Sequence, residues 1–106
     1  MNNAHFAKSI MRLNSVSKHE LTAKAKILLL WLTGKPVTNF LKDVYLSYPS
    51  DTLKHLKDDN GVEWHKKKAD GADWYYFIAT DMPENWELIK NLFITEVEKS
   101  KSRKAA

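Results

Sequence analysis

The chain of 106 residues contains no cysteine and only three glycines. Without cysteine, neither a disulfide framework nor a thiolate zinc site can form. Each glycine falls where a helix or a turn is expected to end, so none remains for a loop that cradles a nucleotide phosphate. The histidines lie on separate predicted elements without metal-ligand spacing: His5, His19, His55 and His65. No nucleophile-elbow or zinc-protease motif occurs, and we therefore expect no enzymatic activity, no cofactor and no metal site.

Long apolar runs are also missing. The longest one, residues 27–32, is far shorter than the roughly 20 residues that cross a bilayer. Residues 1–6 do not combine a charged start with an apolar stretch, as a secretion signal would. We expect a cytoplasmic protein that does not enter a membrane.

Acidic residues are fewer than basic ones, 13 against 17, which gives a net charge of +4. Residues 81–98 sum to −4 and residues 99–106 to +4. A basic balance favours polyanionic partners, although a soluble protein can also be basic without one. The tail, residues 99–106, has no apolar side chain larger than alanine, so we predict that it is disordered.

Apolar periodicity and capping residues predict a mainly α fold of the α+β class. We expect a single domain over residues 1–98, with a core at residues 21–78. The predicted helices span about residues 3–13, 22–32, 38–45, 49–59 and 84–98, and the predicted strands span residues 62–67 and 73–78.

Short polar motifs mark the predicted helix ends. The second helix begins either at a Ser17/Glu20 capping box or at Thr22. Gly34 supplies a left-handed stop for it, and Thr38 is an N-cap candidate for the third helix. The second helix is apolar almost all round over residues 27–32, and it must therefore be covered on more than one side.

The last predicted helix carries a broad apolar face. Trp86, Ile89, Phe93 and Val97 line one stripe, which further leucines widen. A helix this broadly apolar usually contacts both its own core and something else. We predict a homodimer formed by the terminal helices, with these interface residues: Phe6, Ile10, Leu88, Leu92 and Phe93. Alternatively, both terminal helices wrap the apolar second helix within one chain.

Three segments resemble the winged helix-turn-helix domains common in phage and prophage proteins: residues 21–38, the run Leu53-Lys-His-Leu-Lys-Asp-Asp-Asn-Gly61, and the hairpin ending at residues 74–78. The resemblance covers about residues 21–78. It implies three helices followed by a β-hairpin, the wing, and it implies DNA binding with the helix at residues 49–59 in the major groove. Winged helices also serve as protein-docking modules.

The outward face of the predicted recognition helix carries Asp51, Lys54, His55 and Asp58. Two carboxylates would face a polyanion there, although an aspartate can accept from a cytosine amino group. The resemblance assigns phosphate or minor-groove contacts to the basic wing. We take these residues as DNA-binding candidates: Thr38, Ser50, Lys54, His55, Lys57, His65, Lys66, Lys67 and Lys68.

Five aromatic residues cluster in the hairpin: Trp64, Trp74, Tyr75, Tyr76 and Phe77. They permit a base-stacking platform, but a strand that is apolar on both faces is more typically buried on both, and we interpret them as packing residues. The sequence thus predicts a duplex-DNA-binding regulator or accessory factor of a phage or mobile element. The alternative is a protein-binding inhibitor or adaptor, whose partner could contact the last helix.

Overall fold

The computed structural model describes residues 3–38, 49–68 and 74–105. These residues form a mainly helical α+β fold with a small antiparallel sheet, as the sequence predicts. The elements in chain order are α1 (Asn3–Leu13), α2 (Ala23–Leu32), β1 (Val37–Thr38), α3 (Pro49–Asp58), β2 (Trp64–Lys68), β3 (Trp74–Ile78) and α4 (Pro83–Ala105), with a single 3-10 turn at Lys18–Glu20. The helix predicted at about residues 38–45 lies outside the described residues except for Thr38, which belongs to β1.

Helix α2 begins and ends at the residues that the motifs indicate. Thr22 caps it, because its Oγ1 accepts from the N–H of Ala25 at 3.1 Å. At the other end Gly34 has φ +79°, and the N–H of Lys35 donates to the carbonyl of Leu30 at 2.8 Å. This left-handed glycine stop satisfies carbonyls that the helix leaves open.

The alternative start at Ser17 also occurs, on the preceding 3-10 turn. The N–H of Ser17 donates to Glu20 Oε1 at 2.9 Å. The two candidate caps therefore act on two successive elements. Helix α1 ends with Ser15 at φ +55° and with the N–H of Val16 bonded to the carbonyl of Met11 at 3.0 Å.

Helix α2 is the centre of the core. Every residue from Ile27 to Leu32 is buried, because α1, α3, α4 and β1 all pack against this helix. Helix α4 contributes a buried stripe of Ile89, Phe93 and Val97, and α1 contacts both α2 and α4. The terminal helices thus wrap α2 within a single chain.

This packing corrects one predicted interface residue. Phe93 is fully buried inside one chain and cannot contact a second copy, because the buried stripe of α4 already packs against α2. The other four predicted interface residues are partly buried at the edge of the same core: Phe6, Ile10, Leu88 and Leu92. Among residues 3–38, 49–68 and 74–105, the large apolar side chain that remains exposed is Leu13, at 78%. The homodimer stays a prediction, but the excess apolar surface that motivated it is largely covered within the chain.

The sheet has three strands in the order β1-β3-β2, and both pairs are antiparallel. The hairpin of β2 and β3 is where the sequence predicts it, with Trp64 opposite Ile78 and Lys68 opposite Trp74. Strand β1, which pairs Val37 with Tyr76, is not predicted by the sequence, since two residues carry no periodicity.

Asn85 joins the first turn of α4 to the base of the hairpin. Its side chain, only 2% exposed, accepts from the N–H of Glu63 at 3.0 Å. Its amide donates to the carbonyls of Glu63 and Ala79, both at 3.0 Å. The buried side chain of Asn85 therefore bonds to the backbone at the ends of both strands of the hairpin, and it fixes the hairpin against α4.

The predicted disordered tail is also corrected. Helix α4 continues to Ala105, beyond the predicted end at about residue 98. Ser100 follows Val97 on the inward side, is 2% exposed, and donates to the carbonyl of Glu96 at 3.1 Å. Lys99 Nζ lies 2.9 Å from Glu96 Oε2. The tail is helical because this last turn packs inward at Ser100 and because lysine, arginine and alanine favour helix.

Candidate nucleic-acid interface

Helix α3 presents one apolar and one polar face. Leu53 and Leu56 are fully buried, and Asp51, Lys54 and Asp58 are exposed, so the predicted division of this helix is confirmed. The face exposes positive and negative groups side by side.

His55 is also exposed on α3, but it has a partner. Its Nδ1 contacts Asp59 Oδ2, one helical turn further along the chain. His55 is one of the residues predicted to contact a base or a phosphate, and this pairing occupies one of its two ring nitrogens. The side chain of Ser50, another nominated residue, lies outside the described part of the chain, although its backbone belongs to α3.

Trp64 joins α3 to the hairpin. Its indole N–H donates to the carbonyl of Leu53 at 2.8 Å, and its own carbonyl accepts from Lys57 Nζ at 2.7 Å. The same Nζ lies 4.2 Å from the centroid of the Trp64 ring, within the range of a cation–π interaction. Lys57 is thereby held at the junction, and α3 and β2 are braced as one unit.

Four consecutive basic or titratable residues follow Trp64 on β2, and all of them are exposed: His65, Lys66, Lys67 and Lys68. Successive side chains of a strand point to opposite faces, so the four do not form a single stripe. Lys66 and Lys68 share a face with Trp64. His65 and Lys67 lie on the other face. The prediction from the sequence groups all four residues together and does not distinguish these two faces.

The sheet register assigns the hairpin aromatics to these two faces. Tyr76, opposite Lys66, lies on the inner face, where its ring meets Trp64 edge-on at 5.4 Å between centroids. Its backbone carbonyl accepts from the indole N–H of Trp31 at 3.1 Å. The packing interpretation holds for Trp64 and Tyr76.

Tyr75 and Phe77 lie on the outer face with His65 and Lys67. Thr38, the remaining DNA-binding candidate, is also on this face, because strand β1 pairs it with Tyr75 of β3. The aromatic residues of β3 follow one another in the sequence without an apolar–polar alternation, so the sequence pattern does not indicate this division. The alternation of strand residues around the buried Ile78 is the signal that would have indicated it.

Within the three described ranges, no group of three or more His, Asp or Glu side chains could hold a metal ion. Among these residues, no helix has both the length and the hydropathy required to cross a bilayer. Comparison with protein-family models, with curated proteins and with solved structures gives no match to this chain.

Proposed function

We propose that this chain is a winged-helix protein that binds duplex DNA, with α3 as the recognition helix and the β2–β3 hairpin as the wing. A hairpin that follows the third helix of a helix-turn-helix core is the arrangement that the resemblance implies. Regulation of transcription, or assistance to a DNA transaction of a phage or mobile element, belongs to the same proposal.

The observation that carries the proposal is the brace between α3 and β2. Trp64 and Lys57 connect the two elements, and further exposed cations lie on both of them. Lys54 lies on α3, and Lys66, Lys67 and Lys68 lie on β2, with Lys67 on the opposite face of the strand from the other two. A duplex has a phosphate every few ångströms along its axis, and lysines that neutralise phosphates supply sequence-independent affinity. Because the two elements are braced, their cations can engage one stretch of backbone together with little loss of freedom on binding.

The test is a titration with random-sequence duplex DNA at about 50 mM and about 200 mM salt. If about four phosphates are neutralised, the slope of log affinity against log salt is expected to be roughly −3 to −4. Replacing Lys66, Lys67 and Lys68 together by alanine should weaken binding to every duplex, because phosphate contacts position the protein without reading sequence.

A matched control removes the same charge elsewhere. Lys8, Arg12 and Lys18 are exposed and lie on α1 or the 3-10 turn, and α1 packs on α2 and α4. Their joint replacement by alanine should reduce duplex affinity much less than the β2 triple replacement. Equal losses would mean that only net charge matters and would remove the argument for a wing.

A second candidate function is favoured by Asp51 and Asp58. Both are exposed on the outward face of α3, where they repel phosphates but suit a basic protein surface. The alternative is therefore a winged helix that docks on a protein, as an inhibitor or adaptor. Absence of duplex binding at about 50 mM salt by the folded protein would favour this function.

A further inference from the structure

We propose that the outer face of the sheet is a separate binding site for single-stranded nucleic acid, in which unpaired bases stack on Tyr75 and Phe77. This activity differs from duplex binding by α3, and it does not depend on that proposal. The residues that would form this site lie on one face of the sheet, and the register of the strands is what places them together.

The two faces of the sheet have different roles. Ile78 and Val37 of the inner face are buried in the core. The outer face carries Tyr75 and Phe77 from β3 and His65 and Lys67 from β2, with His65 opposite Phe77 and Lys67 opposite Tyr75. Both outer aromatic side chains of β3 are only partly buried.

The rings of the outer face form a continuous set. The centroids of His65 and Phe77 are 5.9 Å apart, with their planes 22° from parallel. Those of Tyr75 and Phe77 are 6.5 Å apart, with their planes 29° from parallel. Neighbouring rings in similar orientations on one face of the sheet offer successive π surfaces, and every base has a π face that can stack on them.

Charge on this face complements a phosphate backbone. Lys67 is exposed and lies directly opposite Tyr75, so its ammonium can reach a phosphate whose base stacks on that ring. Among the described residues of the hairpin, the carboxylate on the same side is Glu63, two residues before His65. Flat rings beside a cation fit a nucleotide, in which every unit carries both a π face and a phosphate, better than an acidic peptide, in which an aromatic ring accompanies only some of the charges.

The test uses a fluorescent oligothymidylate of about 12 nucleotides, followed by anisotropy, with the corresponding oligouridylate as a second arm. We expect measurable binding of at least one of the two at about 50 mM salt, and the stronger arm shows whether the face prefers the thymidine deoxyribonucleotide or the uridine ribonucleotide. The double replacement Tyr75→Leu with Phe77→Leu keeps apolar bulk but removes the rings. It should lower single-strand affinity by at least about 5-fold, the lower end of the range for loss of one base–aromatic stack, while duplex affinity stays unchanged.

Two further variants keep the result interpretable. Tyr75→Phe retains the ring and should bind the oligonucleotide as the wild type does. Lys67→Ala, at an exposed position that should tolerate alanine, should weaken single-strand binding even if the double variant fails to fold. Absence of binding by the wild type to both oligonucleotides would overturn the proposal, and so would wild-type affinity in the folded double variant or in Lys67→Ala. A failure confined to duplex DNA would overturn only the function proposed above.

Discussion

Replacement of Trp64 tests whether the helix α3 and the hairpin are braced as one unit. Trp64→Phe keeps an aromatic ring but removes the indole N–H that donates to the carbonyl of Leu53 at 2.8 Å. A typical hydrogen bond contributes about 1 kcal/mol net. The Leu53 carbonyl lies within α3 and keeps its helical partner, so we expect Trp64→Phe to lower the free energy of unfolding by about 1 kcal/mol or slightly less.

Trp64→Leu removes more, because two ring interactions are lost as well. The ring interacts with Lys57 Nζ at 4.2 Å, which is worth about 0.5–1 kcal/mol at an exposed site. Its edge contact with Tyr76 at 5.4 Å adds about 0.5–1.5 kcal/mol. Together with the hydrogen bond, these terms predict a loss of about 2–3.5 kcal/mol.

Urea unfolding followed by circular dichroism measures both losses, and a double-mutant cycle isolates the cation–π term. Lys57→Met keeps the apolar stem and removes the charge, and its coupling to Trp64→Leu should be about 0.5–1 kcal/mol. Lys54→Met, on the exposed side of the same helix, is the control and should show no coupling. If Trp64→Leu were as stable as the wild type, or if Lys54 coupled as strongly as Lys57, the brace would be wrong.

Two other substitutions test the packing of α4. Asn85→Ala should cost about 2 kcal/mol or more in urea unfolding, since it takes from the N–H of Glu63 and the carbonyl of Ala79 the partner that Asn85 provides; the carbonyl of Glu63 keeps the N–H of Ala79. Stability equal to the wild type would show that water replaces the amide without loss. Phe93→Glu should prevent folding, because a carboxylate at a fully buried position has no partner; a folded monomeric Phe93→Glu variant in sedimentation and circular dichroism would place Phe93 at a dimer interface instead.

Local chemistry in the sequence determines the helix ends and the inward faces. Gly34 stops α2 because a left-handed residue there satisfies open carbonyls without a Cβ clash, and Thr22 caps the helix with its own hydroxyl. The spacing of Leu53 and Leu56 selects the buried side of α3. Each of these features depends on residues within one or two turns, so the sequence is sufficient to predict it.

Features that depend on distant partners were decided by the tertiary structure. Strand β1 exists because Val37 and Thr38 meet β3, and two residues show no pattern of their own. Helix α4 continues past residue 98 because Ser100 packs inward, although the composition of residues 99–106 is typical of a disordered tail. The apolar stripe of the last helix indicates that Phe93 must be buried. Only the position of α2 decides that Phe93 is buried by the same chain. The register of β2 against β3 likewise assigns Tyr75 and Phe77 to the outer face, because a shift of one residue would turn every side chain of a strand to the opposite side.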